Sequence, residues 1–236
     1  MRVEEFTENS RMTQDSPRPS DALLAEISRD LQPVKPSPLP SRLALRLAPL
    51  AVVMSSAILL LIGFRKDAVR LGPLLMWGAS MTQFGLAIML VWIAAREGTP
   101  ARRLPKNYVL FAAVATCLVV AGIALWTFEA SPSKMPSRVS PWVMGAACGV
   151  GGTIAGTLLV MLFGWVFRHS LAARPAIAGA LYGAGAGVAV NAGWRLACPV
   201  STPWHSLGAH GAAIVMTTLL GAVAAQRIAR GHRRAN

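Results

Sequence analysis

The chain has 236 residues, of which 54% are hydrophobic and only 14% are charged. A soluble domain carries about a quarter charged residues, so this composition excludes an ordinary soluble protein. The formal net charge is nevertheless +13, from 23 Lys and Arg against 10 Asp and Glu. Such a charge is typical of nucleic-acid binders, and its distribution along the chain decides whether that class applies.

The first 46 residues carry no net charge, with seven basic residues against seven acids. Residues 1–19 are polar and contain two prolines, so we expect a disordered extension. Residues 20–31 predict a short amphipathic helix, because Ser20 is a good N-cap and Asp21 suits the positive end of the helix dipole. At 100° per residue, four apolar side chains form one stripe: Leu23, Leu24, Ile27 and Leu31.

This amphipathic helix needs a partner, because about eleven residues are too few for a stable isolated helix. Helices on a bilayer surface usually have a basic polar face, whereas this one is acidic through Asp21, Glu26 and Asp30. The pattern therefore favours a groove on a protein over the membrane surface. Residues 32–46 are proline-rich and predict a semi-rigid tether that holds the helix up to ~30 Å from the apolar part of the chain.

Six apolar stretches follow, each long enough to cross about 30 Å of hydrocarbon as a helix. Their predicted boundaries are 47–64, 71–95, 107–128, 142–167, 175–197 and 206–229. We therefore predict an all-α membrane protein. It consists of a six-transmembrane-helix bundle over residues 47–229 and a short cytoplasmic N-terminal amphipathic helix.

The basic residues predict the orientation, because Lys and Arg near the ends of spans collect on the cytoplasmic side. With the N-terminus inside, 17 Lys and Arg lie on the cytoplasmic side and five lie outside. Both termini are therefore expected in the cytoplasm, with residues 230–236 as a basic tail. Charges scattered over two sides of a membrane argue against direct nucleic-acid binding and for the lipid bilayer as a partner.

Spans four and five are rich in glycines four residues apart, a spacing that lets helix backbones approach closely in lipid. We expect each span to pack closely against a neighbouring helix, the two against each other being the simplest arrangement. Cys117 lies in the middle of span three and is expected to pack in the bundle. Arg195 lies inside span five, where it is either functional or snorkels to the outer interface.

Two cysteines and two histidines fall toward the outer face, where disulfides persist. Cys148 lies about 9 Å into span four, and Cys198 follows span five, where Arg195 one turn earlier would favour its thiolate. His205 and His210 lie around the start of span six. Such a set binds a soft metal or tunes a reactive thiol. Its spacing matches no zinc motif, and an interfacial His205 with a packing His210 is the simpler interpretation.

Three motifs occur in a specific order along the chain. They are the segment DALLAEISRDLQPV that begins at Asp21, a lone cysteine early in span four, and the pattern Cys-Pro-x3-Pro-x-His-x4-His from Cys198 to His210. Together they resemble the NrsF family of multi-spanning membrane anti-sigma factors, over about residues 20–229. The chain departs from the family at Ala209, where tryptophan is usual, and in its additional first 19 residues.

The resemblance implies a stress-response regulator in the bacterial inner membrane that is not an enzyme and needs no cofactor. Its cytoplasmic N-terminal segment would bind and sequester an extracytoplasmic-function sigma factor. The positions carried over for that contact are Asp21, Leu23, Leu24, Glu26, Ile27, Asp30 and Leu31. The positions carried over for signal sensing, which are also the metal-ligand candidates, are Cys148, Cys198, His205 and His210.

Two other classes of protein compete with this interpretation. A membrane thiol oxidoreductase would use Cys148 and Cys198 as a redox pair, but such enzymes generally need a second cysteine pair, which this chain lacks. A small proton-coupled transporter would need an acidic relay inside the membrane, and the six predicted spans contain none. Neither class needs the N-terminal amphipathic helix.

Overall fold

A computed structural model of the protein describes residues 20–30, 39–99, 103–130, 140–167 and 174–235. These residues are almost entirely helical and contain no strand, so the predicted all-α class is confirmed. The chain divides into two compact units, Met1–Pro36 and Ser37–Asn236. The predictions for residues 1–19 and 31–38 lie outside the described ranges.

Helix α1, Asp21–Asp30, belongs to the N-terminal unit. It begins after Ser20, whose Oγ accepts a hydrogen bond from the backbone N–H of Leu23 at 3.3 Å. This is the side-chain cap that the sequence predicts. Leu23 and Leu24 are exposed by 47% and 46%, so this part of the apolar stripe is uncovered.

The second unit is a bundle of six helices, each long and apolar enough to cross a membrane, which confirms the six predicted spans. They are α2 Pro40–Ile62, α3 Ala68–Glu97, α4 Lys106–Ala130, α5 Pro141–Phe167, α6 Pro175–Ala197 and α7, which begins as Trp204–His210 and continues as Gly211–Ala235. Two boundaries differ from the prediction by more than three residues. Helix α2 begins at Pro40 instead of residue 47, because the fixed φ of proline suits a first helical turn. Helix α7 extends through residues 230–235, which the sequence predicts as a separate basic tail.

Helix α6 lies at the centre of the bundle and contacts α2, α3, α5 and α7. Within an 18-residue apolar stretch of α6, 78% of the residues are buried, whereas in the corresponding stretch of α4 only 11% are buried. Helix α4 is therefore peripheral. Cys117, which we expected to pack in the bundle, is instead exposed on this helix.

The glycines of α5 and α6 pack closely against a neighbouring helix, as predicted, and that neighbour is mainly α7, whereas Gly151 of α5 faces Trp194 of α6. A Cβ at Gly183 of α6 would overlap the backbone of Thr217, and a Cβ at Gly156 of α5 would overlap the side chain of the same residue. The other glycines that face α7 are Gly149, Gly152, Gly179 and Gly187. Because small residues let helices approach closely, α7 packs tightly against both α5 and α6.

Candidate functional site

Four of the predicted site residues meet in one buried cluster, the Cys–His cluster: Cys148, Cys198, His205 and His210. One ligand atom from each residue lies within 4.8 Å of the others. The two thiol Sγ atoms are 3.8 Å apart, and Cys198 Sγ lies 3.3 Å from Nε2 of His205. The imidazole centroids are 5.2 Å apart. The structure therefore brings together all the residues that the sequence nominates for sensing.

Three elements position the cluster. Cys148 lies near the start of α5, and Cys198 follows α6, with its backbone N–H donating to the Trp194 carbonyl at 2.8 Å. His205 and His210 lie on Trp204–His210, which is a π-helical segment. Residues five apart are separated by about 140° around an α-helix, but they face the same side where hydrogen bonds run from i to i+5. The π-helical segment therefore directs both imidazoles toward the thiols.

The cluster has the geometry and donor set for a thiophilic cation. Two sulfurs that each bind a tetrahedral Zn²⁺ at about 2.3 Å lie about 3.8 Å apart, which is the separation of the two thiols. Two thiolates and two imidazoles form a common tetrahedral zinc set, and thiolates also favour Cu(I). Both cysteines are free thiols in the structure.

Two ring nitrogens in the cluster have no hydrogen-bond partner. His205 Nδ1 and His210 Nε2 are the buried side-chain polar atoms without one among the residues that the structure describes. Leaving such an atom unpaired costs about 1–3 kcal/mol. The second nitrogen of each ring is engaged: His205 Nε2 with the Cys198 thiol, and His210 Nδ1 with Asn191 Oδ1 at 2.9 Å. The Nε2 atom of His210 is therefore available to a cation.

Arg195 neither snorkels nor points toward the cluster. It is 8% exposed, and its Nη1 donates to the carbonyls of Leu75 and Met76 at 2.6 and 3.1 Å. Its Nη2 donates to Thr127 of α4 at 2.9 Å. The two carbonyls belong to Leu74–Gly78, a π-helical turn of α3, and such turns interrupt the regular i to i−4 ladder. Arg195 therefore ties α6 to α3 and α4.

Arg65, in the loop between α2 and α3, is the cation that acts on Cys198. Its guanidinium binds the Asp67 carboxylate at 2.6 and 2.8 Å and donates from Nη2 to Ser201 Oγ at 2.7 Å. Contact with Cys148 and burial raise the pKa of the Cys198 thiol, and the positive charge of Arg65 opposes that rise. Arg65 thus bridges the α2–α3 loop and the loop that contains Cys198.

The residues predicted to bind a sigma factor lie on or next to α1. Those exposed on the helix are Asp21, Leu23, Leu24 and Glu26. Ile27 and Asp30 also belong to α1, and Leu31 lies outside the residues that the structure describes. The segment is part of the N-terminal unit and is not part of the Cys–His cluster.

No role for Arg65, Gln83 or Asn191 was predicted from the sequence. Gln83 and Asn191 are polar residues inside apolar spans, which is the signal that could have identified them, because such residues are costly in a membrane and usually have a partner. Arg65 lies in a loop with other basic residues and carries no such signal.

A protein-family model described as "NrsF: Negative regulator of sigma F" matches residues 27–230. The matched range begins inside α1 and contains the complete Cys–His cluster. No curated protein and no solved structure matches the chain.

Proposed function

Because the chain belongs to the NrsF family and is thus a negative regulator of a sigma factor, we propose that it sequesters an extracytoplasmic-function sigma factor at the bacterial inner membrane. Residues 20–31 hold the sigma factor, the bundle anchors them, and a change at the Cys–His cluster releases the sigma factor. The observation that carries this proposal is the exposure of Leu23 and Leu24, two residues of the apolar stripe of α1, in a unit distinct from the bundle.

The chemistry of α1 suits a groove on a basic protein. Leu23 and Leu24 present apolar surface, and Asp21 and Glu26 add negative charge beside it. An amphipathic helix of this kind binds by laying its apolar face into a hydrophobic groove. A sigma factor has basic surfaces that contact DNA and polymerase, and acidic residues on α1 complement such surfaces and exclude wrong partners.

The topology supports binding and sensing on opposite sides of the membrane. An even number of spans returns the chain to the side where α2 begins, and the excess of Lys and Arg on that side favours the cytoplasm. The Cys–His cluster lies at the other end of the helices, because Cys198 follows the end of α6 and His205 lies at the start of α7.

We propose that the signal is a thiophilic metal ion bound by the Cys–His cluster. The four buried ligands, the sulfur separation and the unpartnered Nε2 of His210 support this ligand chemistry. The thiol contact also favours a second signal, in which a peroxide takes two electrons and two protons from Cys148 and Cys198, is reduced to water and leaves a disulfide. The disulfide route makes no use of the two histidines.

The coupling between the cluster and α1 runs, in this proposal, through Arg65 and α2. Helix α2 begins at Pro40, within the segment predicted as the tether, and ends at Ile62, three residues before Arg65. Arg65 is bonded on both sides of Cys198: its backbone N–H donates to the carbonyl of Leu196 at the end of α6 at 3.0 Å, and its side chain donates to Ser201 in the loop that follows. A movement of Cys198 would therefore shift Arg65 and, through it, the end of α2. Release requires two bundle states with different affinities for the sigma factor.

Deletion of residues 20–31 tests the sequestration. The deleted protein should no longer co-purify with the sigma factor, and a reporter of the sigma regulon should become active without a signal. Deletion of residues 1–19 is the matched control and should leave the reporter silent. If the protein lacking 20–31 is present in the membrane and the reporter stays silent, the sequestration by this segment is wrong.

A further inference from the structure

A chain of buried polar side chains leads from α3 through α6 to the Cys–His cluster. Gln83 of α3 is 1% exposed, and its Oε1 accepts a hydrogen bond from Nδ2 of Asn191 at 3.1 Å. Asn191 of α6 in turn places its Oδ1 2.9 Å from Nδ1 of His210. Burying a polar group costs free energy unless the group is hydrogen-bonded. The side-chain amide of Asn191 has a partner at both its nitrogen and its oxygen.

The hydrogen-bond directions in this chain determine which nitrogen of His210 carries hydrogen. Because Gln83 engages the amide nitrogen of Asn191, the carbonyl oxygen of Asn191 faces the imidazole. An oxygen acceptor 2.9 Å from Nδ1 requires that Nδ1 be the donor, since two acceptors at that distance would repel each other. A neutral His210 therefore has its lone pair on Nε2, which is the buried atom without a partner.

We infer that Asn191, held in place by Gln83, is a positioning residue that presents Nε2 of His210 to a cation in the Cys–His cluster. The inference rests on the proposed function, because it takes the cluster as a metal site. Metal-ligating histidines usually donate their other N–H to an acceptor, which fixes the tautomer and the ring orientation. Loss of such an acceptor typically weakens metal affinity by about 10- to 100-fold.

The test measures Zn²⁺ affinity of the full-length protein in detergent, by competition with a chromophoric chelator. Asn191→Ala should weaken binding about 10- to 100-fold. Asn191→Asp keeps an acceptor opposite Nδ1 and should restore affinity to within about threefold of wild type. Ser55→Ala is the matched control. It removes a buried hydrogen bond from α2 to the carbonyl of Ala189, which lies on α6 as Asn191 does, and it leaves the Cys–His cluster unchanged. Its affinity should equal that of wild type.

The absorption spectrum of the Co²⁺-loaded protein separates ligand positioning from general damage to the bundle. Asn191→Ala should shift the ligand-field bands in the same direction as His210→Ala, and Ser55→Ala should leave them unchanged. Gln83→Leu keeps the volume of the side chain and removes the acceptor, so it tests the same relay where Asn191→Ala fails to fold. It should weaken Zn²⁺ binding in the same direction as Asn191→Ala.

The possible failures are distinguishable. If wild type binds Zn²⁺ and both Asn191→Ala and Gln83→Leu bind it equally well with an unchanged Co²⁺ spectrum, the positioning role is wrong while the metal site stands. If Asn191→Asp is as weak as Asn191→Ala, the acceptor is not what matters, which also overturns the inference. If wild type does not bind Zn²⁺ or Co²⁺, the metal site and the positioning role are both wrong.

Discussion

Replacing Arg65 by alanine should weaken the connection between the Cys–His cluster and α2, because, of the bonds that Arg65 makes to α6 and the loop after it, the variant keeps only the backbone bond to the Leu196 carbonyl. The side chain is 2% exposed and makes one short hydrogen bond between the two loops, 2.7 Å to Ser201 Oγ. Its contacts to the carbonyls of Arg195 and Pro199 are 3.4 and 3.5 Å and add little, because good N–H···O bonds are near 2.9 Å. A hydrogen bond from a charged donor contributes about 1.5–3 kcal/mol. Coupling of about 2 kcal/mol corresponds to about a 30-fold change in affinity.

The coupling can be measured from either site, because linkage is reciprocal. In wild type, the bound sigma factor should weaken Zn²⁺ binding to the full-length protein by up to about 30-fold. In Arg65→Ala this ratio should fall toward one, and the response of a sigma-regulon reporter to added zinc should be reduced. Ser201→Ala removes the acceptor across the loops and should act in the same way. Lys66→Ala changes an exposed residue of the same loop and should behave as wild type.

Two results would refute this reasoning. An Arg65→Ala protein that keeps the wild-type ratio and the wild-type induction by zinc would show that the signal does not pass through Arg65. An equal loss in Lys66→Ala would show that any disturbance of the α2–α3 loop has the same effect, so that the bond to Ser201 has no special role.

Three further predictions concern the cluster and the bundle. Cys198→Ser should abolish Zn²⁺ binding by the purified protein and induction of the reporter by zinc, whereas Cys117→Ser, on exposed α4, should change neither. His210→Ala should abolish induction by zinc; induction by peroxide that survives in this variant would assign the peroxide response to the disulfide route. Gly183→Ala should destabilise the bundle by about 1–3 kcal/mol through overpacking and lower its Tm in detergent. Gly122→Ala, which has nothing within 4 Å of its Cβ, should not lower the Tm.

The helices of the bundle were predictable because each span needs only enough consecutive apolar residues. The start of α1 was predictable for a local reason as well, since Ser20 caps the helix with its own side chain. The predicted start of α2 was wrong because a hydropathy pattern ends an apolar stretch at charged residues such as Arg42 and Arg46. The helix nevertheless includes both, since Pro40 forms its first turn and the two basic side chains remain exposed.

The geometry of the Cys–His cluster could be predicted only in part. The count of spans places Cys148, Cys198 and the two histidines toward one face, and that much follows from the sequence. The α-helical period separates His205 from His210 by about 140° and so favours the interpretation that they do not act together. The π-helical segment removes this separation. Its presence depends on how α7 packs between its neighbours and has no signature in a hydropathy pattern.

The sequence left Arg195 open between a functional role and snorkelling for a related reason. Its position near the end of span five suggests an escape to the interface, as for many basic residues at helix ends. In the structure it binds carbonyls of a π-helical turn in α3. The sequence indicates neither that turn nor the neighbour that α6 packs against, because both depend on contacts between helices that are distant along the chain.

The central claim, that the stripe of α1 holds the sigma factor, is tested most directly by measuring the affinity of the purified sigma factor for the full-length protein in detergent. Leu23 lies on the stripe. Ala25 lies off the stripe, about 200° around the helix from Leu23, and both residues are exposed. Burial of a leucine contributes about 1.5–3 kcal/mol, so Leu23→Asp should weaken binding at least about tenfold. Ala25→Asp adds the same charge off the stripe and should bind as wild type. Binding of Leu23→Asp with wild-type affinity would contradict the claim.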